Sequence, residues 1–226
     1  MKLTYYGHSC FSIAAGGKNI LFDPFITPNE LAKDINIDDI KAEYIFVSHG
    51  HFDHIADVMR IANRTGAKVL GSWELYDWFN KGGLKNTHPL NPGGQVTFDF
   101  GTVKCFIAQH SSSLPDGSYG GVACGFAFNT RDGNFYYSGD TGLTLDMQLI
   151  PEWTTLDFAV LPIGDVLTMG VDDAIKAAGI VGVTKVVGVH YDTFGFIIID
   201  HVKAVESFEK AGITLRLPDI GSSIDI

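Results

Sequence analysis

Short apolar runs alternate with turn residues from the start of the chain. Residues 2–6, 10–14 and 19–22 read as strands, and Gly16-Gly17 is a hairpin signal between the last two. Residues 27–41 are polar and loop-like, with one weak helical turn. Tyr44-Ile45-Phe46-Val47 is continuously apolar, as in a strand buried on both faces. Beyond Ser48–His54, the positions Ile55, Val58, Met59, Ile61 and Ala62 keep a helical period that ends at Thr65-Gly66. Residues 68–71 form another strand, and Ser72 caps a helix through Phe79.

The middle of the chain returns to strands at 95–98, 103–109, 124–129 and 135–137, with Asp132-Gly133 as the turn of the last pair. Strand and helix then alternate: strand 158–161, helix 171–178, strand 186–190, helix 200–211 and a closing strand 215–217. Each half thus supplies several strands and then a strand–helix alternation. Two mixed sheets packed face to face, with helices on the outer faces, would bury both sets. The expected fold class is α/β, an αββα sandwich. No linker interrupts the chain, so residues 1–226 read as one domain.

Hydrophobic residues make up 46% of the chain and aromatic residues 12%, enough for a sizeable core. The formal net charge is -10 and no basic stripe occurs. A groove for long nucleic acid needs clustered Lys and Arg, so such partners are not expected. A small-molecule substrate is, and an anionic one stays open because a bound cation reverses the local field. Cys10, Cys105 and Cys124 include no CxxC pair and lie in apolar stretches, which suits buried free thiols in a reducing compartment. The N-terminus reads as a strand and no apolar run is long enough to span a bilayer. A soluble cytoplasmic protein with no membrane partner is expected; a homo-oligomer is left open.

The chemistry concentrates in Ser48-His49-Gly50-His51-Phe52-Asp53-His54, between a buried strand and a helix. Side chains at i and i+2 of an extended segment point the same way, so His49 and His51 can reach one ion. The turn into the helix aims Asp53 and His54 at a neighbouring point. Imidazole with carboxylate suits zinc first, with manganese, iron or nickel as alternatives. Gly50 removes a Cβ where the backbone bends around the site. No GxSxG nucleophile motif occurs.

This segment resembles the HxHxDH signature of the metallo-β-lactamase superfamily. The resemblance implies three further ligands at later strand ends: a His, an Asp bridging both ions and a last His. His110 in Gln109-His110-Ser111, Asp140 in Gly139-Asp140-Thr141 and His190 in Val189-His190-Tyr191 occur in that order. Gly7-His8-Ser9-Cys10-Phe11, Leu21-Phe22-Asp23-Pro24-Phe25, the HSSS run, SGDTG and HYDTF resemble a bacterial subgroup of metal-dependent hydrolases related to the ascorbate-6-phosphate lactonases. That similarity extends roughly from Lys2 to Leu217.

What the resemblance implies is a hydrolase with two divalent cations held by His49, His51, Asp53, His54, His110, Asp140 and His190. A hydroxide shared by the cations would attack a small ester, lactone or phosphoester. Cyclic or short nucleotides are an alternative substrate class. Di-iron redox chemistry is a weaker one, since the di-iron oxidases of this fold usually carry Glu where His51 stands. Asp53, Asp140 and His8 are the catalytic candidates. His8, at the first turn, is either a turn histidine bonded to backbone or, by the resemblance, a group that supports a substrate oxygen or donates a proton. Asp23 either ends a strand or, by the resemblance, partners a ligand histidine. His88 and His201 read as surface residues. Three departures from the subgroup pattern fall where a pocket is expected: Phe52, the run Pro162-Ile163-Gly164-Asp165-Val166-Leu167-Thr168-Met169, and Gly195-Phe196.

Overall fold

The computed structural model describes residues 1–226. The first half carries β1 (Lys2–Gly7), β2 (Cys10–Ala15), β3 (Lys18–Phe22), β4 (Tyr44–Phe46), α1 (Phe52–Ile55), α2 (Val58–Thr65), β5 (Lys68–Gly71), α3 (Trp73–Lys81) and β6 (Thr87–Pro89). The second half carries β7 (Gln95–Phe98), β8 (Gly101–Ile107), β9 (Cys124–Thr130), β10 (Gly133–Tyr137), α4 (Leu149–Trp153), β11 (Phe158–Pro162), α5 (Val171–Val181), β12 (Lys185–Val189), α6 (His201–Lys210), β13 (Thr214–Arg216) and β14 (Ser223–Asp225). No helix is long and apolar enough to cross a membrane.

Two seven-stranded mixed sheets result, in the orders β14-β1-β2-β3-β4-β5-β6 and β13-β12-β11-β10-β9-β8-β7. In each, hairpin-linked strands pair antiparallel, and strands joined through helices continue the sheet in parallel. The period-two rule explains why strands such as β4 and β11 are apolar throughout. Phe22, Phe46, Phe158 and Val160 point between the sheets, into a cluster rich in stacked phenyl rings. Leu21 and Ile45 point outward beneath α2 and α3, while Ala159 and Leu161 lie under α5 and α6. The expected four-layer αββα sandwich is what forms.

The differences from expectation have physical causes. The helical period from 55 to 65 is broken at Asp57, whose buried carboxylate leaves the helix to accept the Ile26 and Thr27 backbone N–H groups at 2.7 and 2.8 Å. That bond ties down the loop that follows Asp23. Ser72 stands at the N-cap of α3, but its hydroxyl turns toward the Gly120 carbonyl, and Asn91 accepts from the Trp73 N–H instead. β6, β14 and α4 escape the pattern because they are short. β14 exists through pairing with β1 from the other end of the chain. His88 is not in a loop: it is half-buried on β6, edge-on to Phe98.

Phe22 couples the core to the site, because β3 ends beside Asp23. Its fully buried ring packs against Phe11, Phe46, Phe128, Phe135 and Tyr137 at centroid distances of 4.5 to 6.1 Å. Phe22→Ala should cost about 3–5 kcal/mol in urea-induced unfolding. A loss below about 1 kcal/mol would mean that the intersheet cluster refills the cavity and is less tightly interlocked than described.

Candidate metal centre

The candidate residues meet along one edge of the sandwich, where strands of both sheets end. β4 delivers His49, β8 His110, β10 Asp140 and β12 His190, while α1 carries Asp53 and His54. This is the side on which α/β sheets present their ligands. Two close approaches bring the loops together. A Cβ on Gly50 would lie 2.9 Å from the Ser113 carbonyl oxygen, and Gly139, at φ +61, passes against Ser48 and the Cys124 carbonyl. The expected need for a bare backbone at Gly50 is real, and its cause is the Ser113 segment pressed against it.

Two groups of ligand atoms form at the cluster, besides a third, of Asp23 with His49 and His54, that lies behind it. His49, His51 and His110 converge in one, with His49 Nε2 only 2.8 Å from His51 Nδ1. Asp53, His54 and His190 converge in the other, with His8 beside them. Asp140 lies between the two: its Oδ2 is 2.9 Å from His190 Nε2, 3.2 Å from His54 Nε2, 3.7 Å from His110 Nε2 and 3.9 Å from His49 Nε2. His49, His54, Asp140 and His190 are buried, whereas His51, Asp53 and His110 are partly exposed, so the opening lies on their side.

A buried network orients these groups. Asp23, fully buried at φ +40, accepts from four donors: Ser48 N at 2.7 Å and Ser48 Oγ at 2.5 Å, His54 Nδ1 at 2.8 Å and the Tyr137 hydroxyl at 2.5 Å. Ser48 spends its only hydroxyl proton on Asp23. Its oxygen must therefore accept from His49 Nδ1, 2.9 Å away. In their neutral forms both histidines are thus Nδ1–H tautomers, which turns Nε2 toward the cluster as the ligand atom. Of the two readings of Asp23, the structure supports the partner of a ligand histidine. The parts played by Ser48 and Tyr137 are not evident from the sequence. Ser48 at least adjoins the motif, whereas Tyr137 is 114 residues from Asp23 and leaves no local signal.

His8 is 1% exposed at φ +54, and both ring nitrogens are engaged: Nε2 with Asp53 Oδ2 at 2.9 Å and Nδ1 with Thr193 Oγ1 at 3.0 Å. Its ring is not held by backbone; its carbonyl instead accepts from Tyr5 OH and from the His190 N–H. Of the remaining histidines, His201 is exposed and bonded to Asp192, away from the cluster.

The electrostatics are those of a site short of positive charge. Burial opposes charge on His54, but Asp140, Asp53 and Asp23 outweigh it and hold its pKa well above the usual value. Burial lowers His49 strongly, with His54 adding to the effect, and burial also lowers His51 and His110. Burial likewise pushes His8 down, to about 4. Asp140 resists ionisation through burial, yet His190 and His54 keep its carboxyl well below the carboxylate range. Asp53 is held low against burial by His54 and by its bond to His8. No Lys or Arg pairs with Asp23, Asp53 or Asp140.

A divalent cation fits this donor set. His54 Nε2 and Asp140 Oδ1 are buried with no hydrogen-bond partner. Two bare acceptors facing each other, as His54 Nε2 and Asp140 Oδ2 do, repel unless a proton or a cation lies between them. Donor atoms around a tetrahedral ion at 2.0–2.1 Å are about 3.3–3.4 Å apart, and the separations above bracket that spacing.

Fold and ligand cluster together define a class, the β-lactamase superfamily, and the chain matches the family described as "Beta-lactamase superfamily domain" over residues 18–191. A protein of Methylacidiphilum infernorum named "UPF0173 metal-dependent hydrolase" is 49% identical over 224 residues, covering 99% of each chain. Igni18, a metallo hydrolase from the hyperthermophilic archaeon Ignicoccus hospitalis, superposes with a TM-score of 0.89 at 34% identity, over 99% of this chain and 97% of its own. YhfI of Bacillus subtilis, a metallo-beta-lactamase fold protein, aligns at TM-score 0.73 and 16% identity over 99% of each chain, a likeness of fold alone. The chain belongs to the UPF0173 family of metal-dependent hydrolases, as the resemblance in its motifs implied.

Because Asp23 holds His54 directly and His49 through Ser48, its loss should loosen both ligand groups. Asp23→Asn should lower metal affinity about 10–100-fold, measured by competition with a chromogenic chelator. Unchanged affinity would show that packing alone orients the two imidazoles.

Proposed function

We propose that the chain hydrolyses a small ester, lactone or phosphoester with two divalent cations, zinc in first place. The observation that carries this reading is Asp140, with one carboxylate oxygen inside 4 Å of imidazole nitrogens from both ligand groups. His49, His51 and His110 would hold one cation and Asp53, His54 and His190 the other, with Asp140 shared. Bound there, the cations supply Lewis acidity toward a carbonyl or phosphoryl group and lower the pKa of water.

The residues divide the remaining work by position. Asp140, buried between the two ligand groups, would contribute its carboxylate to both. Asp53, with its side chain 20% exposed, faces the opening and can take up or pass on a proton at its carboxylate. His8 lies behind Asp53, sealed from solvent, which favours positioning Asp53 over contact with a substrate oxygen. The buried thiols suit a reducing compartment, and the net charge of -10 disfavours long nucleic acid as a partner.

Asp140→Asn keeps the side-chain shape and removes the charge. It should fold normally by circular dichroism, lose bound metal from both sites, and reduce hydrolysis by at least about 100-fold on any substrate found in a panel of lactones and phosphoesters. His88→Ala, distant from the cluster, should do neither. Full metal content with near-native activity in Asp140→Asn would remove Asp140 from the bridging role.

A further inference from the structure

The three departures noted in the sequence are linked in space: Phe52 and Phe196 through a chain of ring contacts, and Val166 through a groove that it lines with Phe196. Phe52 is 56% exposed and packs edge-on against Phe25 at 5.8 Å. Phe25 reaches Phe194 at 6.5 Å, and Phe194 stacks with Phe196, itself 56% exposed, at 5.7 Å. Phe25 and Phe194 also meet the His8 ring at 5.5 and 5.4 Å. The four rings therefore form an arc that starts next to Asp53, touches the residue holding Asp53, and leads away from the cluster.

Phe196, at the end of the arc, also lines a groove of about 660 Å³ with Val166 and Ile198, each 68% exposed, beside the carboxylates of Asp165, Asp172, Asp173 and Asp200. Val166 is held outward by a strained loop: Asp165 and Val166 are both left-handed, at φ 62 and 56, which a β-branched residue rarely adopts. The Asp165 carboxylate accepts from the Val166 N–H at 2.8 Å. The Met169 N–H bonds the carbonyl of Thr141, the residue after Asp140, at 2.9 Å, so this loop is anchored to the site.

Charge is distributed to match. None of the 16 Lys and Arg residues lies in residues 7–9, 23–27, 48–54, 108–113, 138–144, 163–170 or 189–197, the segments that build the site and its rim. The two lysines at the far side of the groove, Lys176 and Lys203, are paired with Asp173 and Asp200. A phosphate or carboxylate seated on the arc itself would meet no Lys or Arg, whereas an apolar group would cover exposed phenyl rings.

We propose that this arc seats an uncharged, apolar substituent of the substrate, so that the enzyme selects hydrophobic esters or lactones over phosphorylated ones. The inference rests on the metal-site reading above, because the arc acts on a molecule whose reacting bond lies at that cluster. It makes Phe52 and Phe196 specificity-determining residues.

Calorimetry on the zinc-loaded protein with straight-chain hydroxamic acids, from aceto- to octanohydroxamate, tests this without requiring turnover. Affinity should rise about two- to fourfold per added methylene. Suberic acid monohydroxamate, which ends in a carboxylate, should bind at least about tenfold more weakly than octanohydroxamate. Phe52→Ala and Phe196→Ala should each flatten the dependence on chain length. Affinity independent of chain length, or tighter binding of the carboxylate-ended member, overturns the proposal. So does a change in sedimentation coefficient in the Phe196 variant with the hydroxamate series unaltered, which would assign the face to a second copy of the chain. If zinc loads but no hydroxamate binds, or if zinc does not load at all, the metal-site reading itself fails, and this inference with it.

Discussion

Asp23, Asp53 and Asp140 bring three carboxylates into a pocket where the only nearby bases are imidazoles, and no Lys or Arg pairs with any of them. Buried charge of one sign is costly unless it is paired and hydrogen-bonded. Asp23 meets the requirement with four donors and Asp53 with His8, but Asp140 keeps one oxygen without any partner. What remains is a negative field aimed at a ring of converging imidazole nitrogens, a chemistry that a divalent cation satisfies and that a proton on His54 satisfies only in part. The rest of the architecture is arranged so that this arrangement persists.

The sandwich supplies rigidity from below. Phenyl rings from both sheets lock the strands whose ends carry the ligands. The same core reaches the site through Tyr137, whose ring packs with Phe11 and Phe22 while its hydroxyl bonds Asp23. Asp57 gives up its place in a helix to hold the loop after Asp23. Packing between the sheets is therefore transmitted to imidazole orientation through a short chain of hydrogen bonds. The strained backbone at His8, Asp23 and His190, all with positive φ, lies in the loops that this network fixes.

Much of this was legible in the sequence where the signal is local. The HxHxDH spacing follows from alternation of side chains in an extended segment, and continuous apolar strands announce sheets covered on both faces. His110, Asp140 and His190 were legible only because each follows a strand in the family's order; periodicity alone says nothing about where separate strand ends meet. The non-local parts stayed hidden. β14 is three residues long and is defined by its partner at the N-terminus, and Tyr137 reads as an ordinary core aromatic until the fold places it under Asp23. His8 is the intermediate case: its motif marked it, but only the fold shows its ring nitrogens divided between Asp53 and Thr193.

The central proposal is that Asp140 joins two cation sites, each of which draws ligands from both halves of the chain. Anomalous diffraction from crystals of the zinc-loaded protein, collected at the zinc absorption edge, addresses it without reference to any substrate. The account predicts two peaks, one among His49, His51 and His110 and the other among Asp53, His54 and His190, with the Asp140 carboxylate between them. A single peak, or two peaks with Asp140 turned away from either, would contradict it.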